Sequence, residues 1–229
     1  MTASLIFRLL FLSWVFPIVL FITESQGEPL RYIAVGDSYT AGTGVEVSES
    51  WPSQLTVRLT ASGIETILAA NLAQKSWTTV EAINHQLPLL KNLKPDFVTL
   101  LIGVNDWIRG SASQNFLKRL RVLIDGIQNE LSHPEKLLIV TIPDFSCSPT
   151  GKTWGYGKSA VNGINRLNKI IKTEAALRKL PVADIYSLSQ KLCSQQGSFA
   201  PDGVHPSSQQ YEQWVERIFP LALSLLETE

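Results

Sequence analysis

Tyr32-Ile33-Ala34-Val35-Gly36-Asp37-Ser38-Tyr39-Thr40-Ala41-Gly42 is the stretch on which the reading of this chain turns. The run Tyr32–Val35 is apolar without alternation, as in a strand covered on both faces. It ends on a glycine followed by two residues that favour helix N-caps, so a tight turn leads from strand into helix. A serine on such a turn faces free N–H groups and the positive end of a helix, a setting that suits a nucleophile. The plainer reading is that Asp37 and Ser38 only cap a helix. The block alone does not choose between the two.

Outward from this stretch the same alternation repeats. Short apolar runs at Tyr32–Val35, Thr66–Ala70, Phe97–Ile102, Leu137–Ile142 and Val182–Ile185 alternate with longer amphipathic ones. This is the pattern of an α/β parallel sheet with crossover helices. Phe116, Leu120, Leu123, Ile127 and Leu131 share one helical face, and Val161, Ile164, Leu167, Ile171 and Ala175 share another. A last helix is expected from about Ser207 until Pro220 breaks or kinks it. The least regular segment, Pro143 to Lys158, follows a strand, on the edge where open sheets bind their ligands.

Two further blocks fall on that edge. Gly103-Val104-Asn105-Asp106 follows the third apolar run, and Asp202-Gly203-Val204-His205-Pro206 lies near the C-terminus. Nucleophilic acyl transfer needs a nucleophile, an oxyanion donor, and a base with its orienter. Ser38, the Asn105 amide with the Ser38 N–H, and His205 with Asp202 match these parts. Of the three histidines, His85 and His133 have no carboxylate in a comparable turn. Each block also has a structural reading. Asp202 to His205 can be a capped turn with Pro206 near the first helical position. Gly103 to Asp106 can be an ordinary strand-to-helix turn, the role assigned to Asp106. Trp51, Trp77, Trp107 and Trp154 could line a cleft for acyl groups or stack on sugars, although core packing is the commoner fate of tryptophan.

The bulk properties narrow the classes. A chain of 229 residues with 45% hydrophobic content suits one domain with a proper core. Its net charge is +0 and it lacks a dense basic run, which argues against nucleic acid as a partner. With no zinc-ligand spacing, P-loop or dinucleotide fingerprint, neither a metal nor a cofactor is expected. Arg8, the apolar stretch Leu9 to Ile22 and the polar segment Thr23 to Gly27 have the layout of a signal peptide. Cleavage after Ser25, or after Gly27, would leave a secreted or periplasmic chain without stable membrane insertion, with residues 28–229 as its single domain. The alternative is an uncleaved anchor, for which the run is short of the roughly 20 residues a spanning helix needs. Export would let Cys147 and Cys193 form a disulfide, since each follows an expected strand; otherwise they are two unpaired loop thiols. Nothing in the sequence sets the oligomeric state.

Together the blocks resemble the SGNH hydrolases, also called GDSL-type lipases and esterases. The resemblance runs from Gly36-Asp37-Ser38 through Gly103 to Asp106 to Asp202–His205, and so spans essentially the mature chain. Trp51-Pro52 looks like the bacterial thioesterase/lysophospholipase-type branch. The resemblance implies a Ser38–His205–Asp202 triad and a three-layer α/β/α sandwich of flavodoxin-like kind with a five-stranded parallel sheet. The implied strand order, 2-1-3-4-5, would make the two cysteine-bearing loops neighbours. It also implies cleavage of small-molecule carboxylic esters, short- to medium-chain or lysophospholipid-like. The alternatives are an O-acetyl esterase of envelope polysaccharide and a binding protein without turnover. One block departs from the family pattern: where Asn-x-Gly-x-Ser-Gly-x-Thr is usual, this chain has Asn71-Leu72-Ala73-Gln74-Lys75-Ser76-Trp77-Thr78. Ser76 replaces the glycine whose N–H joins the oxyanion hole, and it keeps that role only if it adopts the glycine's φ/ψ. Trp77 beside it would narrow the acyl pocket.

Overall fold

A computed structural model describes residues 28–227. The segment read as a signal peptide, residues 1–25, lies outside them. In chain order the elements are β1 (Leu30–Gly36), α1 (Ser38–Ala41), α2 (Trp51–Ala61), β2 (Thr66–Asn71) and α3 (Thr79–Glu81). A wide π turn (Ala82–Gln86) then leads into α4 (Leu87–Leu93), β3 (Phe97–Leu101), α5 (Val104–Ile108), α6 (Ser113–Glu130) and β4 (Leu137–Val140). The remainder is α7 (Pro149–Thr153), α8 (Gly157–Leu177), β5 (Val182–Ala183), α9 (Tyr186–Leu192) and α10 (Ser208–Glu227).

The strands pair in the order β2-β1-β3-β4-β5, every pair parallel. Parallel pairing requires crossovers, and amphipathic helices supply them on both sides of the sheet. α2 and α10 pack together on one face, while α4, α6 and α8 pack in sequence on the other. The result is a three-layer α/β/α sandwich. β1 and β3 carry almost wholly buried residues because helices cover both of their faces. Within this core Tyr32 and Thr99, on adjacent strands, satisfy each other's hydroxyls at 2.7 Å.

The last two strands are shorter than their apolar runs, and the reason bears on the site. Toward the carboxyl edge β4 and β5 diverge, and side chains take over the backbone bonds. Thr141 Oγ1 accepts from the N–H groups of Ile185 (3.0 Å) and Tyr186 (3.2 Å). The buried Asn168 amide closes on Ile142 from both sides, accepting its N–H and donating to its carbonyl, each at 2.8 Å. The two prolines of the final helix take definite places. Pro206 precedes α10 and bridges Phe199 instead of opening the helix, whose first turn is capped by the Ser207 hydroxyl. Pro220 lies inside α10 without ending it; the ring removes one backbone bond, but Ile218 and Ala222 are buried on either side and hold the helix in place.

Cys147 and Cys193, with Cα atoms 5.7 Å apart, form a disulfide that ties the segment after β4 to the end of α9. Among the described residues no helix is long and apolar enough to cross a membrane.

Asn168→Leu should leave both backbone groups of Ile142 buried and unanswered. The expected loss is about 2–4 kcal/mol of stability, read as a lower urea midpoint at unchanged slope.

Candidate active site

Ser38 opens α1 directly beyond β1. Asp37 caps this helix, its Oδ1 accepting the Tyr39 N–H at 3.1 Å. The capping role weighed from sequence is therefore real, and it leaves Ser38 at the first helical position, where its N–H has no acceptor within the helix. Gly36 is required here by crowding and not by an unusual φ: a Cβ would stand 2.4 Å from both the Leu101 carbonyl and Thr40 Oγ1. Asp37 is completely buried. Burial, opposed by the Tyr39 N–H and reinforced by the nearby Asp106 charge, pushes its carboxyl up to about 8.

Asp202 and His205 sit on one turn. Asp202 Oδ2 meets His205 Nδ1 at 2.5 Å, while Oδ1 accepts the N–H groups of Val204 and His205, each at 3.0 Å. Partial burial works against the Asp202 charge, but these N–H groups and the imidazole outweigh it and hold the carboxyl below its ordinary range. The turn is docked from outside by Thr150, whose Oγ1 donates to the Asp202 carbonyl at 2.7 Å and whose N–H donates to the Gly203 carbonyl at 2.9 Å. Tyr39 packs edge-on against the His205 ring at 5.6 Å. His85 and His133 are exposed and lie away from this constellation.

Across the opening stands the segment that departs from the usual pattern. Ser76 has φ +67°, so this serine does adopt the left-handed conformation that glycine would take. It occupies the third position of a turn closed from Trp77 N–H to the Gln74 carbonyl, the position where φ above zero is demanded. Neighbouring groups pin the turn. Arg109 donates to the Ser76 carbonyl at 2.6 Å and pairs with Glu81 at 2.8 Å. Asn105 donates one amide hydrogen to the Trp77 carbonyl at 2.9 Å, which fixes the amide plane and leaves the second hydrogen for a ligand. Asp106 is structural: it accepts the Thr79 N–H and hydroxyl and pairs with Arg119.

Ser38, Ser76, Asn105 and His205 line one cavity of about 480 Å³. Ser38 and His205 both border this cavity, with no hydrogen bond between Ser38 Oγ and the imidazole among the described residues. Of the tryptophans among the described residues, only Trp154 lines this cavity. Trp77 packs on His85, and Trp51 is buried in the core. Trp107 stands behind the wall, its indole against Phe145, Tyr156 and Gly163, where a Cβ would lie 1.7 Å from the indole nitrogen. Sequence reasoning missed Phe145, Tyr156, Tyr39, Ile108 and Lys75 as lining residues. Phe145 and Tyr156 belong to the irregular segment Pro143–Lys158, so that segment was the available signal. Among the described residues no group of His, Cys, Asp or Glu is arranged to hold a metal ion.

The model of the GDSL-like lipase/acylhydrolase family matches residues 34–213. The chain is similar to the protein named esterase TesA of Pseudomonas aeruginosa, at 24% identity over 96% of this chain and all of that one. It is also similar to an arylesterase of Vibrio mimicus, at 26% identity over 50% of this chain and 57% of the other. The solved lipase/acylhydrolase from Enterococcus faecalis superposes with a TM-score of 0.69 at 25% identity, covering 85% of this chain and 96% of that one.

The buried Asp37 generates a pH prediction. The folded carboxyl keeps its proton up to about pH 8, whereas its ordinary value is 3.8, so between these limits the native state holds the extra proton. Stability from this group must therefore decline as pH rises through that window and level off above it. Asp37→Asn should remove the decline. The melting temperature of the variant relative to wild type should rise between pH 5 and pH 8, and a constant difference would count against a neutral Asp37.

Proposed function

We propose that this chain, a carboxylic ester hydrolase belonging to the GDSL-like lipase/acylhydrolase family, works through an acyl-enzyme on Ser38. The observation that carries the reading is the 2.5 Å Asp202–His205 pair, whose histidine lines the same cavity as Ser38. His205 Nε2 takes the Ser38 proton as Oγ attacks the ester carbonyl, and Asp202 stabilises the imidazolium and holds its tautomer. The tetrahedral oxyanion is met by the free Asn105 hydrogen and by the N–H groups of Ser38 and Ser76. His205 then protonates the leaving alcohol; water, deprotonated by the same imidazole, attacks the acyl-enzyme and releases the acid.

The cavity walls support the substrate class. Phe145, Trp154, Tyr156, Ile108 and Val104 offer an apolar lining suited to short- to medium-chain acyl groups, including lysophospholipid-like esters. The signal-like N-terminal layout and a disulfide, which persists in oxidising compartments, support a secreted or periplasmic enzyme.

Ser38→Ala should abolish turnover of p-nitrophenyl acetate, butyrate and octanoate in folded protein; residual turnover near wild type would remove the serine from the mechanism. Butyrate or octanoate preferred over acetate supports the acyl-cleft reading. Release of acetate from an acetylated glycan, with the longer esters left intact, would replace it by glycan deacetylation. Ser76→Gly should keep kcat within a few fold and leave stability unchanged or slightly raised, since glycine relieves the left-handed φ. Ser76→Ile, a β-branched residue that resists this φ, should lower kcat by about 100- to 1,000-fold through loss of one oxyanion donor.

A further inference from the structure

Gln86 is a polar side chain with no surface exposure, at the end of the π turn Ala82–Gln86. Its amide meets the Gly36 peptide groups on both counts. Gly36 N–H donates to Gln86 Oε1 at 3.1 Å, and Gln86 Nε2 donates to the Gly36 carbonyl at 2.7 Å. These are the bonds a neighbouring strand would make. Up to Ala34 that neighbour is β2: Ala34 pairs with Asn71, and the Ala34 carbonyl accepts the Leu72 N–H at 2.9 Å. Two residues further on, the backbone groups of Gly36 point to the same side, because strand residues repeat with period two. By then the chain beyond β2 has turned away into the Ser76 segment. On its other side Gly36 still pairs with Leu101 of β3.

We infer that Gln86 is a positioning residue for Ser38: its amide replaces the missing strand at Gly36 and so fixes the peptide from which the nucleophile projects. The inference rests on Ser38 being the nucleophile. The chemistry asked of position 86 is specific, an acceptor and a donor side by side as in a peptide group, which a glutamine or a protonated glutamic acid supplies and an apolar chain does not. The π turn, closed from Leu87 N–H to the Ala82 carbonyl, is a wide form that helices use sparingly and often near functional sites. Without the clamp the end of β1 keeps one partner instead of two. The Ser38 N–H and Oγ then lose their placement against Asn105 and His205, and errors of about 1 Å in such placement cost on the order of 100-fold in rate.

The test compares wild type, Gln86→Met, Gln86→Glu and Ser38→Ala on p-nitrophenyl butyrate, with thermal melts and the rate of labelling by a fluorophosphonate probe. Gln86→Met, similar in shape but unable to bridge the peptide, should fold, lose about 10- to 100-fold in kcat, keep KM within about twofold, and label correspondingly slowly. Folded Gln86→Met with wild-type kcat and labelling overturns the inference, as does a loss confined to stability. If Gln86→Met does not fold, Gln86→Glu decides. Its kcat relative to wild type should be highest at acid pH and fall toward pH 9.5, because an ionised carboxylate cannot donate to the Gly36 carbonyl; a ratio that stays flat overturns the inference. Ser38→Ala separates the two levels. Turnover retained in that variant defeats the nucleophile reading itself, whereas a dead Ser38→Ala beside an unimpaired Gln86→Met defeats only the role of Gln86.

Discussion

Parallel strands that fan apart leave their last peptide groups without partners, and each group left unanswered in a dry interior costs about 1–3 kcal/mol. The carboxyl edge of this sheet is organised by how that demand is met. Gln86 answers Gly36 at the end of β1, and Asn168 answers Ile142 beyond β4. Thr141 answers the start of α9, and the Asn71 amide reaches the Thr40 carbonyl at 2.7 Å. The divergence that creates the deficit is also what opens a crevice between strand ends. Side chains that close the deficit hold that crevice open and give its walls a fixed shape.

Three carboxylates close to this edge show how environment divides their work. Asp37 is sealed in the interior and stays protonated near neutrality. Asp106, equally buried, is matched by Arg119 and the Thr79 hydroxyl and fastens the start of α3 to α5 and α6. Asp202 is the exposed one, and its hydrogen bonds favour the charge that an imidazolium needs beside it. Only the last combines charge, access and a histidine, which is why the proposed proton transfer is assigned to it.

Much of the architecture was legible because its signals are local. Unbroken apolar runs mark strands covered on both faces, and helical periodicity marks the layers; both survive in the observed order of elements. The blocks around Ser38, Asn105 and His205 were legible because turn chemistry and reactive side chains share the same few residues. What stayed hidden depends on distant partners. Gln86 reads in sequence as one more polar residue on an amphipathic helix, since neither the π turn nor the departure of β2 leaves a compositional trace. Trp107 and Trp154 carry the same label in the sequence, yet one is pressed against a glycine behind the wall and the other reaches the cavity. The positive φ of Ser76 was posed by the sequence as a condition, and the pinning by Arg109 and Asn105 meets it.

Placing Asp202 and His205 within a single turn has a consequence for how such a protein can diversify. The hydrogen-bonded pair travels as one cassette, so an insertion elsewhere in the chain displaces both members together and cannot part them. Within the segment that bears Phe145, Trp154 and Tyr156, Thr150 is tied to that turn by two hydrogen bonds, and the positions that only face the cavity carry no such tie. Substitutions at those positions can remodel what the cavity admits while the geometry of the Asp202–His205 pair stays as it is.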